Sequence, residues 1–293
     1  MKGFGLMLVD KPVGPSSHKI VSIVRKGTGV RKVGHAGTLD PRASGVLVLC
    51  LGAATRLSEY LSTASKCYEA VIRFGTSTET YDAEGDAIRI TGAAPPEEDI
   101  RSILPQFIGE IEQIPPPYSA IKIQGKKAYE LARKGEIVEL DPRKITIYHL
   151  DFDSYNPPDL TLSVECSAGT YIRSLAHDLG EKLNTGAHLA NLRRVKSGPF
   201  TLEECVPLSD LEQSIISGDW EQYLRPASDA LPELPTLNVV GAVLEDVLNG
   251  RPILAEGTVE GMARAIGPDG DLVAILKAAP DGSLWHPKKV FRR

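Results

Sequence analysis

Residues 34–51 constrain the fold of this 293-residue chain more than any other stretch. They begin with a loop punctuated by Gly and Pro that contains a single carboxylate, Asp40, and a basic segment precedes it. A wholly apolar run, residues 46–51, follows the loop and predicts a buried strand over residues 45–51. An acid presented from irregular backbone next to a rigid strand is a common arrangement in active sites.

The composition indicates a soluble, intracellular protein. Hydrophobic residues make up 42% and charged residues 24% of the chain, as in ordinary globular proteins. Without an apolar run of about 18 residues or an N-terminal apolar segment of the signal-peptide type, we predict no membrane partner and a cytoplasmic location. The four cysteines are far apart in the sequence, which argues against a disulfide framework or a zinc site.

Charge is unevenly distributed along the chain. The formal net charge is −5, which by itself argues weakly against a nucleic-acid partner. Residues 1–75, however, contain eleven Lys or Arg and four Asp or Glu, whereas residues 79–112 contain two Arg and nine Asp or Glu. Because an anionic polymer responds to the local field, the basic N-terminal region is compatible with nucleic-acid binding.

Hydrophobic periodicity and turn residues predict a chain of mixed helices and strands. Residues 76–96 are acidic and contain Gly and Pro, so we expect a loop or hairpin there. The predicted strands cover residues 4–9, 45–51, 66–74, 144–154 and 160–166. The predicted helices cover residues 18–28, 53–61, 97–108, 128–133 and 172–183.

A change of composition near residues 226–235, which include three prolines, predicts a domain boundary. We therefore expect a large domain over residues 1–230 and a small one over residues 236–293. The small domain has several short β-like runs separated by turns, a pattern typical of a small β-barrel.

Several segments, in order along the chain, have the character of sequence motifs. They are DKPVGPSS (residues 10–17), GHAGTLDPRASGVL (34–47), KCY (66–68), PPYSAIK and GKKAYELAR (116–122 and 125–133), and CSAGTYIRSL (166–175). Together they resemble motifs of the TruB family of pseudouridine synthases. The longest, which contains Asp40, fills every fixed position of the family pattern GHxGxLDPxAxGxL.

This resemblance implies a pseudouridine synthase fold: a mixed α/β domain around a largely antiparallel sheet, with a thumb-like insert at about residues 115–140. Looser matches at residues 261–265, 270–274 and 287–291 resemble a PUA-type RNA-binding domain. The implied activity is isomerisation of uridine 55 in the T-arm of tRNA by a bacterial-type enzyme.

The same resemblance implies three catalytic residues. As the N1–C1′ bond of uridine lengthens, C1′ becomes positive, and the Asp40 carboxylate can stabilise that charge or attack covalently. Arg173 would pair with Asp40 and keep it ionised, because a guanidinium matches a carboxylate bidentately. Tyr68 would stack on the extruded base, with its hydroxyl placed to move the C5 proton.

Further residues are implied in RNA binding. His35 resembles the residue that fills the space vacated by the flipped base, and Leu192 would form an apolar wall of the base pocket. Lys11 in the N-terminal region, and Lys122 and Arg133 on the thumb-like insert, would meet phosphates.

We expect no cofactor and no metal, because the sequence has no phosphate-cradling loop and no ligand cluster. The expected partner is tRNA, through the T-arm and with a further contact to the acceptor stem, and the expected state is a monomer without an obligatory protein partner.

Three other functions remain open at this stage. One is a relative that modifies RNA chosen by a guide RNA, although the bacterial-type thumb and the short C-terminus argue against it. Another is a non-catalytic RNA-binding or RNA-folding protein, which the presence of Asp40, Tyr68 and Arg173 disfavours. The third is a glycosidase, which would need a second carboxylate that the motifs do not provide.

Overall fold

The structure is a computed structural model that describes residues 3–119, 121–123, 126–128 and 140–291, with the backbone alone at residues 122, 123, 126 and 127. The chain divides into two compact units. The terminal unit comprises residues 1–63 and 197–293, and the central unit comprises residues 64–196.

The terminal unit begins with two long antiparallel strands and a helix that packs on them. Its N-terminal elements are β1 (Gly5–Lys11), α1 (Ser17–Thr28), β2 (Val33–His35), β3 (Ala43–Leu51), a 3₁₀ helix (Gly52–Leu57) and α2 (Ser58–Thr63). β1 pairs with β3 from Gly5 opposite Leu51 to Lys11 opposite Gly45. All nine residues of β3 are buried, which confirms the prediction from the apolar run.

Helix α1 confirms the predicted helix over residues 18–28. The hydroxyl of Ser16 accepts a hydrogen bond from the Lys19 amide at 3.2 Å, and this N-cap fixes the start of the helix. Ile20, Val21 and Val24 lie on one face and pack against apolar side chains of β1 and β3, so the helical spacing of apolar residues is explained by burial.

The predicted helix over residues 53–61 is present in a different form, as the 3₁₀ helix followed by α2. The Thr55 hydroxyl donates to the Gly52 carbonyl at 2.9 Å, and the Ser58 hydroxyl donates to the Thr55 carbonyl at 2.7 Å. Each bond spans three residues, which favours the tighter 3₁₀ turn over a continuous α-helix.

The central unit is built around antiparallel strands with a helix packed on one face. Its elements are β4 (Lys66–Phe74), β5 (Thr76–Thr78), β6 (Ala87–Ile90), α3 (Glu97–Ile103), β7 (Gly109–Gln113), β8 (Lys122–Ile123), β9 (Lys126–Lys127), β10 (Arg143–Asn156), β11 (Asp159–Cys166), α4 (Ile172–Lys182) and β12 (Ala187–Ser197). Strands β4, β11, β10 and β7 are adjacent in that order, and each pair is antiparallel. Apolar residues of α4, including Leu175 and Leu179, complete the core on this sheet.

The sequence predictions for the central unit were correct for β4, β10, β11 and α4, but they did not include the long strand β12 or several short elements. The acidic stretch 76–96 contains the β5–β6 hairpin. The predicted helix over residues 97–108 ends as α3 at Ile103 and continues as a 3₁₀ turn that contains Pro105, which has no amide to extend an α-helix. Strand β7 was missed, and apart from Ala128 the predicted helix over residues 128–133 lies outside the described residues.

The rest of the terminal unit ends in a second sheet. The elements are β13 (Phe200–Thr201), a 3₁₀ helix (Leu202–Glu204), β14 (Val206–Pro207), α5 (Leu208–Ser217), two 3₁₀ turns (Trp220–Tyr223 and Ala227–Ala230), β15 (Thr236–Asn238), α6 (Gly241–Leu248), β16 (Ile253–Leu254), β17 (Met262–Ile266), β18 (Leu272–Ala278) and β19 (Leu284–Val290). The final sheet has the order β15–β17–β18–β19–β16, with β15 and β17 parallel and the other pairs antiparallel. The predicted fold class, mixed α/β with a small β-rich C-terminal region, is confirmed.

The final sheet and the N-terminal strands share one hydrophobic cluster within the terminal unit. Phe291 is 3% exposed and belongs to a cluster with Leu6 and Val46. The Phe291 ring also lies 6.2 Å from the Phe4 ring, centroid to centroid, and 5.8 Å from the Arg56 guanidinium carbon. The predicted boundary between residues 230 and 236 falls inside this unit and stays a prediction.

Phe291→Ala should therefore destabilise the protein although it lies at the end of the chain. Removing a buried phenylalanine from a packed cluster costs about 3–5 kcal/mol, to be measured as the free energy of unfolding in urea. Leu254→Ala is the matched control because Leu254 is 82% exposed, and its effect should stay within about 0.5 kcal/mol. Equal effects of the two substitutions would show that Phe291 is not part of the core.

No helix in the described part of the chain is long and apolar enough to cross a membrane.

Candidate active site

Asp40 lies in the terminal unit, in the loop between β2 and β3, and the residues before it are fixed by helix α1. The Leu39 amide donates to the Ser17 hydroxyl oxygen at 2.8 Å, and the same hydroxyl donates to the Leu39 carbonyl at 2.9 Å. The Asp40 carbonyl in turn accepts from the Ala43 amide at 3.0 Å. One serine at the start of a helix therefore holds both backbone polar groups of the residue that precedes Asp40.

The residue after Asp40 is held by Lys11. Lys11 is 0% exposed, and its ammonium group donates to the carbonyls of Pro12, Pro15 and Pro41 at 2.9, 3.0 and 3.3 Å. The Gly14 amide donates to the same Pro41 carbonyl at 2.8 Å. A lysine buried in this way cannot reach an RNA phosphate, so the predicted phosphate contact of Lys11 is corrected to a structural role in the Asp40 loop.

These contacts explain why the segments at residues 10–17 and 34–47 occur together in one chain. Lys11 and Ser17 come from the first segment, and they fix Pro41 and Leu39 on the two sides of Asp40. The direction of the Asp40 backbone is thus determined by hydrogen bonds from residues more than twenty positions away. Such preorganisation is what a charged catalytic group requires.

His35 lies at the end of β2, opposite Leu49 of β3, and is half-buried. The Ala36 amide continues this pairing with a 2.9 Å bond to the Val48 carbonyl. The predicted RNA-inserting histidine is therefore five residues before Asp40, on backbone that the sheet holds in place.

Arg173 lies in the central unit, in the first turn of α4, and is 7% exposed. Its Nη1 donates to the Thr80 carbonyl at 3.1 Å, and its Nη2 donates to the Tyr118 carbonyl at 3.1 Å. A cation at a helix N-terminus opposes the helix dipole, so a buried arginine there needs compensating acceptors. The planar guanidinium, with its fork of donors, suits this role better than an ammonium group does.

Asp82 is a functional candidate that the sequence analysis missed. Its Oδ2 lies 3.5 Å from Arg173 Nη1, and this side chain is 13% exposed. The Thr80 hydroxyl donates to Asp82 Oδ1 at 2.5 Å, and the Thr78 hydroxyl donates to the Asp82 carbonyl at 2.6 Å. The spacing Thr78-x-Thr80-x-Asp82 was the available signal, but it stands in a stretch so rich in acids that a solvated hairpin was the natural interpretation.

The start of α4 is fixed by side chains from β7 and the segment after it. The Gln113 amide group makes two bonds to the Tyr171 backbone, accepting from its N–H at 2.8 Å and donating to its carbonyl at 3.0 Å. The Ser174 hydroxyl donates to the Ile114 carbonyl at 2.7 Å. Arg173, between these two anchored residues, has little freedom to move.

Tyr68 and Leu192 are also in the central unit, where both are half-buried and pack against the core of the sheet. Tyr68 is on β4 opposite Val164, and Leu192 is on β12. Lys66, two residues before Tyr68, is 5% exposed, and burial together with the neighbouring Arg194 lowers its pKa to about 8.

The remaining predicted site residues are on the thumb-like insert. The side chain of Lys122 and the whole of Arg133 lie outside the described residues, so their predicted phosphate contacts stay predictions. Among the residues that the structure does describe, no group of three or more His, Cys, Asp or Glu side chains is arranged to hold a metal ion.

Asp178, on helix α4, has a carboxyl group with a raised pKa. Burial raises the pKa of this carboxyl to about 6, with Glu181 acting in the same direction and Lys182 against it. Because the folded protein holds this proton more tightly than the unfolded chain, the contribution of Asp178 to stability is present below about pH 4 and is lost as pH rises through about 6.

Asp178→Asn should therefore stabilise the protein at pH 8, by about 2 kcal/mol, and by less than half as much at pH 4.5. The measurement is urea unfolding of the wild type and the variant at both pH values. Asp153→Asn, at an exposed aspartate of β10, is the control and should change stability by no more than about 0.5 kcal/mol. A destabilising effect of Asp178→Asn at pH 8 would refute the burial argument.

Each unit presents candidate catalytic groups of its own. The terminal unit presents one carboxylate, Asp40, on a rigid loop. The central unit presents a buried arginine with an acidic partner, and an aromatic residue and a leucine from its sheet. A carboxylate can stabilise or capture a developing cation, and a single acid is sufficient where the leaving group departs as an anion and no water must be activated.

The chain is similar to known proteins over nearly its full length. Residues 25–172 match the family model described as TruB family pseudouridylate synthase (N terminal domain), and residues 173–231 match that of the tRNA pseudouridylate synthase B C-terminal domain. It is 41% identical to tRNA pseudouridine synthase B of Pseudomonas aeruginosa and 43% identical to that of Dehalococcoides mccartyi, each time over 98% of this chain and 96% of the relative.

Solved structures show the same fold. A structure of an H/ACA RNP bound to a substrate RNA containing 2'-deoxyuridine has a chain that aligns with a TM-score of 0.76 and 28% identity, covering 99% of this chain and 86% of its own. A Cbf5-Nop10-Gar1 complex aligns with a TM-score of 0.75 and 30% identity, covering 99% and 85%.

Proposed function

Because this chain belongs to the TruB family of pseudouridylate synthases, we propose that it isomerises uridine 55 in the T-arm of tRNA to pseudouridine. The observation that carries the proposal is the Asp40 loop, which fills every fixed position of the family motif and is held by Lys11 and Ser17. Relatives named tRNA pseudouridine synthase B share 41–43% of their residues with this chain across almost their whole length.

The proposed reaction breaks the N1–C1′ bond of uridine, turns the base and forms a C5–C1′ bond, after which the C5 proton is released and N1 takes up a proton. Atoms and electrons balance without an oxidant, a reductant or a cofactor. Asp40 stabilises or captures the positive charge at C1′. Tyr68 stacks on the extruded base and moves the C5 proton, and Arg173 keeps Asp40 ionised.

The contacts of Arg173 support its place in this scheme. The carbonyls of Thr80 and Tyr118 hold the guanidinium plane in one orientation, and the Asp82 carboxylate lies 3.5 Å from Nη1. We infer that Asp82 is a positioning residue, because it acts on the reaction through Arg173. His35 and Leu192 would then meet the RNA, His35 in the space left by the flipped base and Leu192 against the base itself.

RNA binding is proposed for the basic surface of the terminal unit. A cleft of about 450 Å³ is lined by residues that include Lys32, Thr55, Arg56 and Asn249, which join the N-terminal elements to α6 and the residues after it. Cations and amide donors in one concave surface suit a phosphate backbone. We propose that the C-terminal region binds the acceptor stem at this cleft. Lys122 and Arg133 of the thumb-like insert would contact phosphates of the T-arm.

The guide-RNA-directed alternative is favoured by the structural similarity to the H/ACA RNP and Cbf5-Nop10-Gar1 chains. Identity to those chains is 28–30%, however, against 41–43% to the tRNA pseudouridine synthase B relatives. The higher identity favours tRNA as the substrate, and we propose that the chain recognises it directly, as a monomer in the cytoplasm.

The proposal is tested by tritium release from an unmodified tRNA transcript labelled at uridine C5. The purified chain alone should release one equivalent of tritium, and it should do so after treatment with EDTA provided that the tRNA was folded beforehand. A T-arm stem-loop should react as well, with a flatter salt dependence because fewer phosphates are neutralised. Release that depends on an added guide RNA or on a further protein would instead support the alternative.

A further inference from the structure

The aromatic pair Tyr81 and His177 lies in the central unit, directly beside the Arg173–Asp82 contact. The two rings are stacked, with centroids 3.9 Å apart and an interplanar angle of 5°. We propose that this stack is a positioning device for the reaction: it holds the turn at residues 78–84 on helix α4 and thereby places Asp82 against Arg173. The inference rests on the proposed function of Arg173.

Tyr81 has an unusual backbone conformation. Its φ is +62°, in the left-handed region that bulky side chains seldom adopt. Glycine or asparagine would suit this turn without strain. A tyrosine in such a position indicates that its ring makes a contact that offsets the unfavourable backbone, and the contact present is the stack on His177.

The turn contacts α4 at two residues, Arg173 and His177, whose spacing matches one turn of the helix. Arg173 and His177 are four residues apart, so they lie one above the other on the same face of the helix. Asp82 and Tyr81 are neighbours in the turn. The turn therefore meets the helix at two points one helical turn apart, and loosening one contact frees the other.

The ion pair between Asp82 and Arg173 is a long one. The 3.5 Å between Asp82 Oδ2 and Arg173 Nη1 exceeds the 2.7–2.9 Å of a strong charged hydrogen bond. Within the turn, Asp82 Oδ1 is held by the Thr80 hydroxyl at 2.5 Å and by the Glu84 amide at 3.1 Å. These bonds shape the turn but do not attach it to the helix. The bond from Arg173 Nη1 to the Thr80 carbonyl at 3.1 Å attaches the turn to the start of α4, and the stack adds a second attachment one helical turn further along.

The His177 ring is positioned by stacking and not by a hydrogen bond from its Nδ1. Its Nδ1 is buried and has no hydrogen-bond partner among the described residues, so no bond from this atom fixes the ring. Burial lowers the pKa of His177 and raises that of Tyr81. Both rings are thus kept neutral, and two neutral planar rings in contact attract each other mainly by dispersion.

The test measures the single-turnover rate on C5-tritiated tRNA at saturating enzyme. Tyr81→Asn removes the ring but suits the left-handed backbone, and it should lower the rate by about 10–50-fold with the Kd for tRNA changed less than about threefold. Tyr81→Phe keeps the ring and should restore most of that loss. Tyr148→Asn, at an exposed tyrosine of β10, is the matched control and should stay within about twofold.

A double-mutant cycle separates positioning from a general effect on folding. In an Asp82→Asn background, Tyr81→Asn should lower the rate by less than about twofold, because the group that it positions is already disabled. Equal fold losses in the two backgrounds would overturn the proposal, as would a loss below about twofold in the wild-type background.

Hydrogen exchange at the Glu84 amide gives a readout that needs no activity. This amide donates to Asp82 Oδ1, so Tyr81→Asn should accelerate its exchange at least about fivefold, and Tyr148→Asn should not. Unchanged exchange would overturn the proposal even if the rate fell. A wild-type protein that released no tritium from tRNA would refute the proposed function, whereas the exchange result would still decide whether the stack holds the turn.

Discussion

Replacement of Asp40 by asparagine is expected to abolish tritium release from C5-labelled tRNA. Asparagine keeps the shape of the side chain and the backbone contacts of the loop, but it cannot offer a negative charge to C1′ or attack it. We expect a rate below about 0.01% of wild type, which corresponds to a barrier raised by more than ~5 kcal/mol. Binding of tRNA should stay within about tenfold of wild type, because phosphate contacts dominate affinity.

The matched control for this substitution is Asp153→Asn, at an exposed aspartate of β10 whose carboxylate accepts from Ser163. Its rate should remain within about twofold of wild type. If Asp40→Asn retained a comparable rate, Asp40 would not be the catalytic carboxylate, and the tight fixing of Leu39 and Pro41 around it would need another explanation.

Replacement of Arg173 by lysine is expected to lower the single-turnover rate at least about 100-fold, a loss of roughly 3 kcal/mol. Lysine keeps the charge, but an ammonium group is a point donor and lacks the planar fork with which Arg173 reaches the Thr80 and Tyr118 carbonyls and Asp82 together. The effect should be on the rate and not on the Kd for tRNA, because the guanidinium is buried away from the solvent-exposed surface.

Arg73→Lys is the control for this second prediction. Arg73 makes a two-bond contact with the Asp159 carboxylate, at 2.7 Å for each bond, but its side chain is 50% exposed. An exposed pair contributes little, so the rate should stay within about twofold. A loss below threefold in Arg173→Lys would mean that geometry around Arg173 is unimportant for catalysis.

The sequence was sufficient to predict the elements that have a single dominant cause. Strand β3 follows from an uninterrupted apolar run, α1 from an N-cap serine and helical spacing, and β4 from residue alternation over its whole length. Each of these patterns is local, and burial in the structure agrees with it. The 3₁₀ turns were not predicted, because they depend on hydrogen bonds from Thr55 and Ser58 and on the ring of Pro105.

Only the site residues that lie in long, specific motifs could be predicted from the sequence. Asp40 was found because its loop is long and specific. Lys11 was assigned to RNA because a lysine near the N-terminus of a basic segment is usually exposed, and nothing local shows that three carbonyls would surround it. Asp82 was overlooked because its importance arises from Arg173, which is about ninety residues away and meets it only in the folded chain.

The most direct test of the central claim is to map pseudouridine at single-nucleotide resolution in an unmodified tRNA transcript after incubation with the purified chain alone. We expect complete conversion at position 55, no conversion at other uridines, and none at position 55 with Asp40→Asn. Conversion at a different position, or at position 55 with Asp40→Asn as efficiently as with wild type, would contradict the central claim.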